Sequence, residues 1–188
     1  MNTKSKLIVL CGPSGGGKST IVKFLLENIK DLTLSISATT RKIRESEVDG
    51  EHYHFVSQEE FLEKIKAGEF LEYEEVYPGR FYGTLKKHID DLLENSNVIF
   101  DIDVAGALNI KKIYDSQAIT IFIAPPSMEI LKERLHARGS ETSEDFKVRL
   151  EKAEIELSYA KNFEQIIVND DLDTACLKAK DIVQKFLK

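Results

Sequence analysis

Eight residues near the N-terminus, Gly12-Pro-Ser-Gly-Gly-Gly-Lys18-Ser19, constrain this chain more than any other stretch. They satisfy G-x-x-x-x-G-K-[ST], a pattern whose glycines remove Cβ atoms so that successive backbone N–H groups can turn toward phosphate oxygens. The pattern means something only between a strand and a helix, and both are legible. Lys6 to Cys11 (KLIVLC) is a short apolar run, and from Lys18 onward Ile21, Val22, Leu25, Leu26 and Ile29 recur at helical spacing. The helix that starts at the loop adds free N–H groups and the positive end of its dipole. A bound nucleoside triphosphate is the implied ligand, with Lys18 reaching the β and γ phosphates and Ser19 ligating Mg²⁺.

Further apolar runs at Asn97 to Asp101, Ala118 to Ala124 and Gln165 to Asn169 read as buried strands. Helical patterns separate or follow them, at Thr84 to Glu94, Ala105 to Ile113, Ser127 to Ala137, Ser143 to Tyr159 and Leu172 to Leu187. Strands alternating with helices predict an α/β fold of the P-loop NTPase type, a parallel sheet with helices on both faces. Two stretches break the rhythm. Ser35 to Tyr82 is polar and holds one short helix near Phe61, with Ser57 and Glu60 at capping-box spacing, and reads as an inserted lobe. Arg138 to Ser143 (RGSETS) is a glycine- and hydroxyl-rich break between helices and predicts a mobile lid. One domain of 188 residues is expected, with core segments 1–34, 84–126 and 160–188, a lobe over about 35–83 and a lid region over about 127–159.

The net charge of −6 argues against general nucleic-acid binding and requires cations to be gathered locally if phosphates are the ligands. There are only six arginines, and five fall into two groups: Arg41 with Arg44, and Arg134, Arg138 and Arg149 around the proposed lid. Planar guanidinium forks suit phosphate, although a solvated face can gather arginines as well. Asp101 closes a strand at the end where parallel sheets bind ligands, with Asp103 two residues on. Asp103-Val-Ala-Gly106 fits D-x-x-G, but no N-K-x-D follows, which disfavours a switch GTPase. His52 and His54 alternate with no further ligand at metal-binding spacing and read as a polar strand face. No run is long enough for a membrane span, the six residues before the first strand predict no signal peptide, and Cys11 and Cys176 are expected as reduced thiols, so a cytoplasmic location is expected.

From Leu7 to Ala175 the chain resembles the guanylate kinases. The match runs through GPSGGGKST, then TTRKIRESEVDGEHYHFVS (Thr39 to Ser57), GEFLEYEEV, FYGT, DIDVAGA, RLHARG and VNDDLDTA. The resemblance implies transfer of the ATP γ-phosphate to GMP, and the same to dGMP, with Mg²⁺ and without nucleic-acid or membrane partners, by a monomer or homodimer. It implies an ATP site from Gly12, Pro13, Ser14, Gly15, Gly16, Gly17, Lys18, Ser19 and Thr20, with Asn169 and Asp170 near adenine. Ser37, Glu72, Thr84 and Asp103 would surround guanine. Arg41, Arg44, Tyr53 and Tyr82 would hold the GMP phosphate. Lys18, Arg44, Arg134, Arg138 and Arg149 would act on the transferring phosphoryl group, with Asp101 near Mg²⁺ through water.

The chemistry agrees. Guanine offers two adjacent donors that one carboxylate such as Glu72 accepts together, and adenine would leave those groups unpaired. Phe81 before Tyr82, the long turn Tyr77-Pro-Gly-Arg80, Ala105 and Ile43 depart from the family's usual pattern, and the first two are expected to loosen the GMP contacts. Two other readings remain: a guanylate-kinase-like module that binds phosphopeptides, and a P-loop kinase for another phosphorylated small molecule. The intact Lys18-Ser19 pair weighs against the first, and Glu72 with Ser37 and Thr84 against the second.

Overall fold

A computed structural model describes residues 5–137 and 143–188. Its centre is β1 (Leu7–Cys11), every residue of which is buried. Around it a five-stranded sheet forms with β2 (Leu32–Leu34), β7 (Asn97–Asp101), β8 (Ala118–Ala124) and β9 (Gln165–Val168), in the order β2-β7-β1-β8-β9. Every pairing is parallel. The alternation of a strand then sorts side chains to two cores. Ile8, Leu10, Ile99, Ile121 and Ile123 face α1 (Lys18–Asn28) and α7 (Leu172–Leu187). Leu7, Val9, Phe100 and Phe122 face the opposite side, against Ile89 of α3 (Lys86–Leu93) and Ala107 and Ile110 of α4 (Val104–Tyr114). Cys11 belongs to one core and Cys176 to the other, so the sheet itself keeps the two thiols apart and both are free.

The segment after β2 forms a second, four-stranded sheet in the order β4-β3-β6-β5, from β3 (Ala38–Thr39), β4 (His54–Phe55), β5 (Phe70–Tyr77) and β6 (Arg80–Leu85). Helix α2 (Gln58–Lys66) closes it. Ser57 and Glu60 make the expected capping box, each accepting the other's backbone N–H. Phe61 is wholly buried, stacked on Phe70 with ring centroids 4.3 Å apart and beside Phe81 at 5.4 Å. Phe81 therefore belongs to the lobe's own core, on the face away from Tyr82. The turn Tyr77-Pro-Gly-Arg80 is the hairpin that joins β5 to β6.

Some elements differ from expectation. Helix α3 begins at Lys86 rather than Thr84, because Thr84 pairs with Glu72 in the β5–β6 ladder. The lobe's sheet accordingly runs to Leu85. Strand β5 was hidden because the face it turns to the cleft carries Glu72 and Glu74, which breaks the apolar alternation that marks a strand. β2, β3 and β4 have only two or three residues each, too few to show a period.

Beyond β8, α5 (Met128–Ala137) and α6 (Ser143–Ser158) share a small core of Leu131, Leu135 and Ala153. They flank the break at 138–142, and Arg138 with the expected lid turn lies outside the described residues.

Because Phe61 is the keystone of the lobe's core, Phe61→Ala should cost about 3–5 kcal/mol. Urea unfolding followed by circular dichroism should show a correspondingly lower midpoint, whereas an unchanged midpoint would mean the lobe is held by something else.

Candidate active site

The carboxyl ends of β1 and β7 open into a cleft of about 340 Å³ that runs from the phosphate loop to the lobe. Gly12, Ser14, Gly15, Gly17, Lys18, Ser19 and Thr20 form one end, and Ser37, Tyr53, Glu72, Tyr82 and Gly83 the other. Asp101, Asp103 and Arg149 lie on the same lining.

At the loop end, the backbone is arranged around free N–H groups. Helix α1 starts after Gly17 with no side-chain cap, which leaves its first N–H groups available to an anion. The loop's carbonyls are satisfied from within the protein. Lys18 Nζ donates to the Gly12 and Pro13 carbonyls at 2.6 and 3.2 Å, and Gly16 N–H to Pro13 O at 3.0 Å. The amide of Asn169 donates to Gly16 O at 2.8 Å from a position only 3% exposed. That strut explains Gly17: its φ of 93° is left-handed, and a Cβ there would sit 2.1 Å from Asn169 Nδ2.

Ser19 Oγ donates to Asp101 Oδ2 at 2.7 Å, joining the start of α1 to the end of β7. A hydroxyl and a carboxylate, both hard oxygens at the edge of an open cleft, suit a divalent ion that takes its other ligands from water and phosphate. Among the described residues no three His, Cys, Asp or Glu side chains form an all-protein metal cage, which such a site does not need.

At the lobe end, Glu72 is 5% exposed and its Oε1 accepts the Thr84 hydroxyl at 2.5 Å. Burial foremost, then the nearby Asp103 and Glu74 carboxyls, push its pKa up to about 7, against the opposing pull of the Thr84 hydrogen bond. Gly106 exists for this carboxylate: a Cβ there would lie 2.7 Å from Glu72 Oε2. Asp103 caps α4 by accepting Gly106 N–H at 2.9 Å, so the D-x-x-G match is a helix cap plus a seat for Glu72.

The acceptor arginines are held differently from one another. Arg41 forms a two-pronged pair with Glu47, at 2.8 and 2.7 Å, and its guanidinium lies over Tyr53 and Phe55. That pairing raises Arg41 further above its usual range and lowers Glu47 to about 2, so both stay charged at neutral pH. Arg44 is exposed, with its N–H on Glu47. Tyr53 and Tyr82 meet edge to face, 5.8 Å apart. Of the second arginine group, Arg149 lines the cleft, while Arg134 donates to Asn169 O at 2.9 Å beside the β9–α7 connection. Asp170 is exposed on that connection.

Two cleft groups were not anticipated, Lys152 and Glu156. Glu156 is 9% exposed, and its pKa is raised to about 7 by burial, against the nearby Lys18 and Lys152. A signal for both was present. Arg149, Lys152 and Glu156 fall at i, i+3 and i+7, one face of α6.

The family model described as "Guanylate kinase" matches residues 4–186. The guanylate kinase of Salinibacter ruber is 47% identical over 96% of this chain and 96% of its own length. That of Bacteroides fragilis is 48% identical over 98% of this chain and 91% of its own. The crystal structure of guanylate kinase from Anaplasma phagocytophilum superposes with a TM-score of 0.79 at 32% identity, covering 98% of this chain and 87% of that one. A shikimate kinase from Bacteroides thetaiotaomicron, at TM-score 0.55 and 16% identity, shares the fold.

If the Asn169 amide is the strut of the phosphate loop, Asn169→Ala leaves the Gly16 carbonyl unpaired at a cost of about 1–3 kcal/mol. The expected result is a melting temperature lowered by about 2–4 °C per kcal/mol together with weaker ATP binding in calorimetry. Unchanged melting and affinity would refute the strut.

Proposed function

This chain belongs to the guanylate kinase family and transfers the γ-phosphate of ATP to GMP, and we propose that ATP lies on the phosphate loop, GMP in the lobe of residues 35–83, and the lid of residues 127–159 over both. The observation that carries the assignment of the two ends is the buried Glu72–Thr84 pair, which shares one continuous cleft with Lys18 and Asp101.

In this reading Glu72 accepts guanine N1–H and the exocyclic amine, with Ser37, Thr84 and Asp103 around the base. Tyr53, Tyr82, Arg41 and Arg44 hold the GMP phosphate, Arg41 already aimed by Glu47. These contacts reach base and phosphate, so dGMP is a second acceptor. Lys18 leaves the Gly12 and Pro13 carbonyls for the β and γ phosphates of ATP. The loop residues Gly12 to Thr20 bind the triphosphate, braced by Asn169, with Asp170 toward the adenine. Arg149, with Arg134 and Arg138, offsets the charge on the phosphoryl group in flight. Ser19, and Asp101 through water, would hold Mg²⁺, which would supply charge neutralisation to the phosphates when bound. In the same reading Asp101, which lines the cleft beside Ser19, is the acid near the acceptor. No protein nucleophile is needed; the work is alignment and charge, with closure keeping water from the phosphoryl group. The cytoplasm is the compartment this reading implies, since both nucleotides and two free thiols belong there.

A coupled assay with ATP and a panel of GMP, dGMP, AMP, UMP and CMP tests the assignment: saturable turnover is expected with the two guanine nucleotides only. Lys18→Ala should lower kcat by about 100-fold or more with the native circular dichroism spectrum retained, although the Gly12 carbonyl loses its partner and the melting temperature falls somewhat; near-normal turnover would sink the loop's role.

Glu72 supplies a pH test. Its pKa is raised in the fold, so the protein binds that proton more tightly than the unfolded chain does. Ionising it therefore costs stability that sets in as pH rises from the ordinary 4.5 through about 7. Guanine's donors select the ionised form, so kcat/KM for GMP should climb between about pH 6 and 8. In Glu72→Gln that component should vanish and KM for GMP should rise. Titration of the GMP phosphate, Glu74 and Glu156 is common to both proteins and cancels in their ratio, so identical profiles would remove Glu72 from the base site.

A further inference from the structure

Glu74 follows Glu72 by two residues on β5 and so projects from the same face of the strand toward the cleft. Its Oε1 lies 3.4 Å from Lys152 Nζ of α6, and both side chains are about two-thirds buried, at 32% and 30% exposure. Its other oxygen, Oε2, is buried against the Asp103 carboxyl, whose charge and hydrogen bond, after burial itself, raise the pKa of Glu74, and the Lys152 ammonium opposes that rise. The ion pair thus spans from the lobe to the helix that follows the 138–142 break, two parts of the chain 78 residues apart. Three residues before Lys152 on the same helical face stands Arg149, which lines the cleft. Lys152 stands among acids as well as beside the cations Arg149 and Lys18. Glu74, Asp103 and Glu156 converge near it, and a cleft that must admit two anionic nucleotides cannot leave that charge unopposed.

We propose that Lys152 is a positioning residue for phosphoryl transfer: by gripping Glu74 it docks α6 on the lobe strand β5 and so sets Arg149 over the acceptor phosphate. This rests on the reading of the cleft as the GMP site. The pair is a lobe-to-lid brace, and its cation offsets the acids among which guanine and phosphate must settle. Its function is geometric: a guanidinium displaced by about 1 Å at a reacting phosphate can cost two orders of magnitude in rate.

A double-mutant cycle tests it, with Lys152→Met, Glu74→Gln and the two combined, measured with GMP varied at saturating ATP and with ATP varied at saturating GMP. Each single change should lower kcat by about 10-fold with KM for ATP nearly unmoved. The combined variant should be no worse than the poorer single, since both remove one interaction. Lys152→Arg should retain most of the activity, and the exchanged pair Lys152→Glu with Glu74→Lys should recover more than either reversal alone. Melting temperatures should stay within about 2 °C of the parent, because a part-exposed pair contributes little to stability. Should Lys152→Met melt early, Lys152→Gln gives the same cycle with a milder change. A kcat for Lys152→Met within twofold of the parent overturns the proposal, as do losses that multiply in the combined variant. A parent enzyme that fails to turn over GMP would instead overturn the substrate reading, so the two failures are distinct.

Discussion

A loop that turns its N–H groups toward a ligand must satisfy its carbonyl groups elsewhere, and this requirement organises the molecule. Gly12, Pro13 and Gly16 find their partners in Lys18, in the loop's own N–H, and in the amide of Asn169. Asn169 can reach Gly16 only because β9 lies beside β8, which lies beside β1. The strand order is thus tied to the loop's hydrogen bonds. Arg134, on Asn169 O, extends the same chain of contacts to α5. The arrangement also leaves Lys18 in reserve: its ammonium holds two carbonyls that a phosphate can replace as partners.

The second constraint is charge. A chain of net charge −6 that handles nucleotides places four carboxyl groups in or beside its cleft, Glu72 and Glu156 buried and Glu74 and Asp103 partly so. Burial raises Glu72 and Glu156 to about 7, which softens the penalty, since either can carry a proton until a ligand or a cation favours the ion. In the proposed reading Glu72 is then a recognition group whose charge is called up by guanine's donors. Its ladder partner Thr84 and the missing side chain at Gly106 hold it in place. Glu47 shows the opposite logic. Paired with Arg41 by two hydrogen bonds, it stays ionised and keeps the guanidinium aimed before any phosphate arrives.

The elements read correctly from the chain were those whose geometry is local. The phosphate loop is eight consecutive residues between a buried run and an amphipathic helix, and the structure has it there. The strands at 97–101 and 118–124 are mostly apolar on both faces, because both faces of a central parallel strand are buried. The lobe was legible as an interruption but not as a sheet. Its strands are short, and β5 spends its inward face on Glu72 and Glu74. Phe81, which as a departure from the family pattern suggested weakened ligand contacts, is a core residue on the far face.

By itself, then, the sequence determined a P-loop α/β fold, an inserted lobe, and a set of residues suited to two nucleotides. The fold and the lobe follow from backbone sterics and from periods of two and 3.6 residues, which neighbours along the chain suffice to express; the residue set came from the resemblance to the guanylate kinases. Only the tertiary structure decided what each polar group touches. Asn169 serves the phosphate loop across 153 residues of chain, Gly106 makes room for Glu72, and Lys152 reaches Glu74. Which acid is buried and which cation opposes it depend on the packing of segments remote in sequence, and there no local pattern carries the information.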